Sequence, residues 1–265
     1  MNNIVLGKEA VRITKEKKYK INGNIVMLPD EDYEEVIVIA PDDGIALLSD
    51  ETGAFRQEKM CNISVVNMDS YQAGRQYENP LVMNFANAHN PGGGFLMGAT
   101  AQEESLCRCS TLYLSINSRK AGEMYRYNNS HPNSVESDYM LISPKVAVFR
   151  DENYNLTEPV MMGVVTVPAP NRRGAAMLAS QKLIEDTFRR RIRIMLLAAA
   201  KYQYKDLILG AWGCGAFGNS AEKVAGYFKE IIVTEEYGKC FESICFAIYG
   251  RENGRNITAF RECFG

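Results

Sequence analysis

Apolar residues recur in two registers along this chain, and their alternation sets the fold class. Between Met177 and Tyr202, positions 184, 188, 192, 195, 196 and 199 are apolar, the spacing of one buried face on a long helix. The stretch 160–167 is instead dense in β-branched residues and reads as the strongest strand. Further strands are predicted at 36–40, 63–67, 81–85, 206–210 and 243–249, with two more, 139–142 and 146–149, on either side of Ser143-Pro144. Helices are predicted over 5–18, 69–77 and 221–237 and after Asn256, and Asn22-Gly23 reads as a hairpin turn. Thr100-Ala101-Gln102-Glu103 has the form of a capping box, and Leu106, Cys109, Tyr113 and Ile116 continue from it at helical spacing. Strands alternating with helices make the chain α/β, with a largely parallel or mixed sheet. Ligands of such sheets bind beyond the carboxyl ends of the strands.

Composition narrows the function classes. The 265 residues suit one α/β domain. A net charge of −2 provides no general field for nucleic acid, so direct nucleic-acid binding is not expected. The first twenty residues hold no apolar core of a signal peptide, and no apolar run is long enough to span a bilayer. The seven cysteines (61, 107, 109, 214, 240, 245, 263) show no C-x-x-C pair, which argues against zinc. Reduced thiols in a cytoplasmic protein are the expectation.

Candidate chemistry concentrates in two glycine-rich loops placed after strands. Pro91-Gly92-Gly93-Gly94 is followed seven residues later by Gln102-Glu103-Glu104. Consecutive glycines cost backbone entropy to order, and a fold keeps them where backbone approaches something closely or φ is positive. Glu103 has a helix-capping duty in the capping box. Glu104, about 100° further around the helix, has none, so it is the better candidate for proton transfer. The second loop, Ala211 to Ser220, has glycines at 213, 215 and 218 and runs into a helix. Its N–H groups can hold an anion. No Gly-Lys-Ser/Thr ends it, and its G-x-G-x-x-G lies too late in the chain for a dinucleotide fingerprint. His89 lacks a partner at catalytic spacing. Arg189-Arg190-Arg191 and Arg193 read as a solvated helix face, and Cys107 and Cys109 as core.

With both loops placed, the chain resembles the bacterial-type poly(ADP-ribose) glycohydrolases, a branch of the macrodomain fold. The likeness is carried by Asn84-Phe85-Ala86-Asn87 leading into Pro91-Gly92-Gly93-Gly94-Phe95, and by Gln102-Glu103-Glu104-Ser105-Leu106-Cys107. Ser143-Pro144, Val148-Phe149-Arg150-Asp151, Pro168-Ala169-Pro170-Asn171 and the run from Gly210 to Asn219 add to it. The similarity runs from about residue 60 onward, is weaker in the N-terminal helix, and is least over 20–60. It implies a macrodomain-like three-layer α/β/α core over 61–265 with a central mixed sheet. Residues 1–60 would be a helical and hairpin extension packed on that core, the whole forming one globular domain.

The resemblance also implies a site. ADP-ribose would lie in the cleft between the loops, with Gly92, Gly93 and Gly94 near the scissile ribose and the diphosphate. Gly213, Cys214, Gly215, Ala216, Phe217, Gly218 and Asn219 would wrap the diphosphate, Phe217 packing on the terminal ribose. Asn87 and Gln102 join the substrate-binding set, and Asp69 falls where many macrodomains hold adenine. Glu104 would be the catalytic acid, with a raised pKa, and Glu103 would fix ribose hydroxyls. The reaction would cleave ribose–ribose O-glycosidic bonds of poly(ADP-ribose) on modified proteins and release ADP-ribose, by a monomer needing no metal or other cofactor. The alternatives are a mono-ADP-ribosyl hydrolase and a non-catalytic ADP-ribose reader.

Overall fold

Alternate residues of the central strands face opposite ways, as the period of a strand requires, and each face carries its own layer of helices. The computed structural model describes residues 2–50 and 57–265. Helix α1 (Asn3–Glu16) leads into a hairpin of β1 (Lys18–Ile21) and β2 (Asn24–Met27). Asn22 and Gly23 turn it with φ of 49° and 87°. The main sheet has seven strands: β3 (Ile37–Ile39), β4 (Asn62–Val66), β5 (Leu81–Ala86), β6 (Met140–Arg150), β7 (Leu156–Pro168), β8 (Asp206–Leu209) and β9 (Ser243–Ala247). Their order is β3-β6-β7-β5-β8-β9-β4. The five strands from β7 to β4 run parallel, while β6 and β3 are antiparallel to their neighbours, so the sheet is mixed.

Leu81, Met83, Leu207, Leu209, Ile244 and Phe246 pack into one core with α2 (Pro41–Ser49), α7 (Gln181–Lys201), α8 (Ala221–Lys229) and α9 (Arg255–Phe264). Val82, Val164, Ile208 and Cys245 face the opposite core. There α3 (Ser70–Gly74), α4 (Gln102–Cys109), α5 (Leu112–Ile116) and α6 (Gly122–Ser130) lie. Each such side chain contributes about 1.5–3 kcal/mol on burial. A third, smaller cluster joins Ala10, Ile13, Tyr19 and Val26 to Ala147 and Phe149 on β6.

Four local expectations change. The two strands predicted around Ser143-Pro144 are one strand, β6, with a register shift between Ser143 and Val146. The helix expected to run through Ile116 stops at Cys109, because Ser110 bridges Val148 and Thr111 exchanges hydrogen bonds with Ala147. The long helix begins at Gln181, where the Ser180 hydroxyl accepts from the Leu183 N–H. The helix predicted over 221–237 is α-helical only to Lys229 and continues as a π turn, Glu230–Thr234. Residues 37–39, within the expected extension, supply the edge strand β3, whereas 51–56 lie outside the described residues. Among the described residues no helix is long and apolar enough to cross a membrane.

The arginine cluster on α7 is not a solvated face. Arg191 is fully buried, and its guanidinium donates to the carbonyls of Val135, Glu136, Ser137 and Pro168 and to the Asp138 carboxylate. It joins α7 to the end of β7 and to the segment before β6. Arg189, Arg190 and Arg193 are half-buried or nearly so and pair with Glu230, Asp138 and Glu235. Arg191→Ala should therefore cost roughly 3–5 kcal/mol, since it leaves Asp138 and four carbonyls short of a donor. Lys at 191 should not rescue the loss, because an ammonium cannot reproduce the planar fork. Urea unfolding measures both, and a loss under about 1 kcal/mol would remove Arg191 from the fold's supports.

Candidate active site

The chain leaves β5 at Ala86 and turns at Asn87, whose side-chain oxygen accepts from the N–H groups of His89 (2.8 Å) and Asn90 (2.9 Å). This Asx-type turn delivers the glycine run. Gly92 and Gly93 have φ of 71° and 53°, in the left-handed region where a side chain is strained. A Cβ on Gly93 would overlap the Glu104 carboxylate and lie 3.3 Å from Glu103 Oε2. The glycine is thus demanded by the protein's own carboxylates before any ligand arrives. The Gly94 N–H donates to Glu104 Oε1 at 3.0 Å. From outside, α1 supports this loop: Gly7 packs against Phe95, and the Asn3 amide donates to the Gly98 carbonyl (3.3 Å).

The expected capping box is absent. The N-cap of α4 is Ala101, with no side-chain cap. Glu103 instead turns inward, accepting from the Asn84 amide at 3.2 Å and the Asn87 N–H at 2.8 Å. Gln102, expected to meet substrate, directs its amide to β5. It accepts from the Phe85 N–H (2.9 Å) and donates to the Met83 carbonyl (2.8 Å) and the Ser70 hydroxyl (3.0 Å). Strand β8 pairs with β5 only at Leu81 and Val82, so Gln102 takes the ladder position from which β8 has parted. At the other end of α4, the buried Arg150 guanidinium donates to the carbonyls of Arg108 and Leu6 and meets Glu9.

Both glutamates are buried, Glu103 at 3% exposure and Glu104 at 8%. Burial, reinforced by the neighbouring Glu104, pushes the Glu103 carboxyl up to about 8, against the hydrogen bonds from Asn87 and Asn84. Glu104 Oε2 has no hydrogen-bond partner. It belongs to a carboxyl on the wall of a cavity of about 600 Å³.

That cavity runs between the two loops, as expected. Asp69, Asn87, Gln102, Gly213, Gly215, Ala216 and Phe217 line it with the glutamate pair. Asp69 caps α3 with Oδ1, accepting from Tyr71 and Gln72 (2.8 and 2.9 Å), while Oδ2 is buried and unpartnered. Burial raises its carboxyl. Cys214, Gly218, Asn219 and the three glycines 92–94 shape the cavity without lining it. Asn219 closes the second loop, donating to the carbonyls of Pro170 (2.8 Å) and Gly213 (3.1 Å). The Cys214 thiol turns back to the Trp212 carbonyl, and burial pushes it up to about 12. His89 points away, toward Asn129 and Glu136. Asn84, which holds Glu103, stood in the sequence as a lone polar residue within the apolar run 81–86 and as part of the Asn84-Phe85-Ala86-Asn87 likeness, with no role attached to it. Tyr249, exposed at the cavity rim just past β9, carried no periodic signal at all. Among the described residues no group of three His, Cys, Asp or Glu side chains is placed to hold a metal ion.

The family model described as microbial-type PARG, catalytic domain, matches residues 6–151. That span starts within α1, so the N-terminal helix belongs to the family pattern. The structure of poly(ADP-ribose) glycohydrolase from Thermomonospora curvata is 31% identical, with 99% of each chain covered and a TM-score of 0.92. The same enzyme bound to the inhibitor ADP-HPD gives 30% identity, 98% coverage of both chains and a TM-score of 0.86. Poly(ADP-ribose) glycohydrolase from Deinococcus radiodurans in complex with ADP-ribose gives 32% identity over 89% of this chain and 97% of that one, with a TM-score of 0.82. No curated protein sequence matches the chain. The fold agrees with these likenesses, and the chain belongs to the family of microbial-type poly(ADP-ribose) glycohydrolases.

Proposed function

We propose that this protein hydrolyses the ribose–ribose O-glycosidic bonds of poly(ADP-ribose) and releases ADP-ribose. The observation that carries the reading is the buried pair Glu103–Glu104, with one carboxyl raised by burial and Glu104 Oε2 unpartnered. Glycosidic cleavage passes through an oxocarbenium-like state and needs a proton on the leaving oxygen and a water on the anomeric carbon. Burial keeps the Glu103 carboxyl protonated into the neutral range, so a proton is held beside Glu104. Glu104 hands a proton to the leaving ribose oxygen, and the resulting carboxylate then activates water. Glu103, fixed by Asn84 and Asn87, orients the ribose. Backbone N–H groups of 213–219 hold the diphosphate near the developing cation, and Phe217 covers the terminal ribose. Adenine lies toward Asp69 Oδ2, a free acceptor, and the Tyr249 ring.

A reader module of the same fold gains nothing from burying adjacent carboxyl groups, which is costly unless a task requires it. The cleft is complete within one chain, which supports a monomer. All seven cysteines are free thiols, which suits action in the cytoplasm on ADP-ribose chains of modified proteins.

Glu104→Gln should keep the fold and bind ADP-ribose within about threefold, yet lose on the order of 10²–10⁴ in turnover, the usual worth of a positioned acid. Release of ADP-ribose from the polymer at a tenth of the parent rate would remove Glu104 from that role.

A pH–rate profile should show activity falling as pH rises through about 8, where Glu103 loses its proton. Stability has the same sign. A carboxyl raised on folding binds its proton more tightly in the native state, so stability declines between its unfolded value and about 8. Melting temperatures across this window should show the decline in the parent and a flatter curve in Glu103→Gln.

ADP fills the diphosphate half of the site but makes no contact with the glutamate pair. Loss of two charge-assisted hydrogen bonds at about 1.5–3 kcal/mol each should weaken it roughly a hundredfold or more against ADP-ribose. Thermal-shift titration reads this directly, and equal stabilisation by ADP or ATP would mark a general nucleotide pocket.

A further inference from the structure

The 213–219 loop is a thin wall with a cavity on each side. Gly213, Gly215, Ala216 and Phe217 face the cleft already described. On the far side, Gly218, Asn219 and Ser220 border a second cavity of about 290 Å³. Phe188 and Tyr227 close its floor, and Arg172, Lys223 and Arg255 stand around it. These cations are incompletely neutralised. Among the described residues the Arg172 guanidinium donates to the amide oxygen of Gln181 (2.7 Å) and meets no carboxylate. Arg173, lying against Gly218, has no carboxylate partner among the described residues. Glu185, which meets Lys223 at 3.0 Å, is shared with Arg189 and Gln181. Only Arg255 has a carboxylate to itself, Glu222 at 2.8 Å. The cavity is also tied to the loop, since the Arg172 N–H donates to the Phe217 carbonyl at 3.0 Å.

We propose that this second cavity is a nucleotide-phosphate subsite for the ADP-ribose unit adjoining the one in the cleft, a proposal that rests on the glycohydrolase reading above. The polymer repeats a base and a diphosphate in every unit. A unit held in the cleft leaves its neighbour to pass the rim of the same loop, where the cationic rim matches a phosphate. On a chain of net charge −2 these cations are a local feature, not part of a general field. The cavity would therefore let the enzyme distinguish polymer from single ADP-ribose through polymer affinity, without touching the chemistry.

The test uses the full chain carrying Glu104→Gln, which blocks turnover during titration. ADP-ribose and a purified oligo(ADP-ribose) of several units are titrated at low and high salt, with and without Arg172→Gln plus Lys223→Gln. Both residues carry exposed side chains, and a thermal melt confirms the fold. The double substitution should raise the oligomer Kd about tenfold or more, leave ADP-ribose within about twofold, and flatten the salt dependence of oligomer binding. Arg172→Lys, which keeps the charge, should retain most of the oligomer affinity. An unchanged oligomer Kd, or equal weakening of both ligands, would overturn the subsite while leaving the glycohydrolase reading intact. A parent protein that neither cleaves the polymer nor binds ADP-ribose would overturn that reading, and the subsite with it.

Discussion

Two neighbouring carboxyl groups cannot both leave water as anions without compensation, and the surroundings of Glu103 and Glu104 supply that compensation. Glu103 keeps a proton into the neutral range and takes two donors, one from Asn84 and one from the backbone of Asn87. Glu104 takes the Gly94 N–H on one oxygen and leaves the other unpartnered. Room for both exists only because residue 93 has no side chain. The glycine run, the Asx turn that launches it and the lone asparagine of β5 are therefore parts of one arrangement. It holds two carboxyl groups at fixed positions away from water.

The sheet topology makes space for that arrangement. Strands β5 and β8 run together for two residues and then separate, which opens the sheet at the carboxyl end of its middle strands. Gln102 fills the vacated ladder positions on β5 and, in doing so, fixes the first turn of α4 to the sheet. Arg150 holds the last turn through the Arg108 carbonyl. The helix bearing the glutamates is thus fastened at both ends by side chains that mimic backbone pairing. The 213–219 loop, the other wall of the cleft, is closed by Asn219 and tied down by the Arg172 N–H on the Phe217 carbonyl.

Much of this was legible in the sequence. Strand positions such as Leu81 to Phe85 and the β-branched stretch 160–167 announced the sheet, and the helical spacing at 184–199 announced α7. The juxtaposition of three glycines with two glutamates located the site. What local pattern could not show was the use of a residue by a distant partner. A Thr-x-x-Glu reads as a capping box until Asn84 and Asn87, sixteen or more residues back in sequence, claim the glutamate. Gln102 reads as a ligand until β8 is seen to diverge from β5. Arg191 reads as solvated because four of its five acceptors are carbonyls, which every residue has and no motif marks. The helix break at Ser110 is likewise imposed by β6, not by any residue with a strong breaking preference.

The contact between α1 and the glycine loop has a practical side. Gly7 lies against Phe95 with no room for a methyl group to spare, and Asn3 reaches the carbonyl of Gly98. The first turns of α1 are consequently the outer buttress of the loop against which the Glu104 carboxyl rests. A purification tag or fusion partner placed against α1 therefore abuts the Phe95–Gly98 segment, whereas α9 packs on α8 and β4. For tethering the protein to a surface or a reporter, α1 and α9 are not equivalent attachment points: α1 buttresses the glycine loop, while the start of α9 brings Asn256 to the cavity wall.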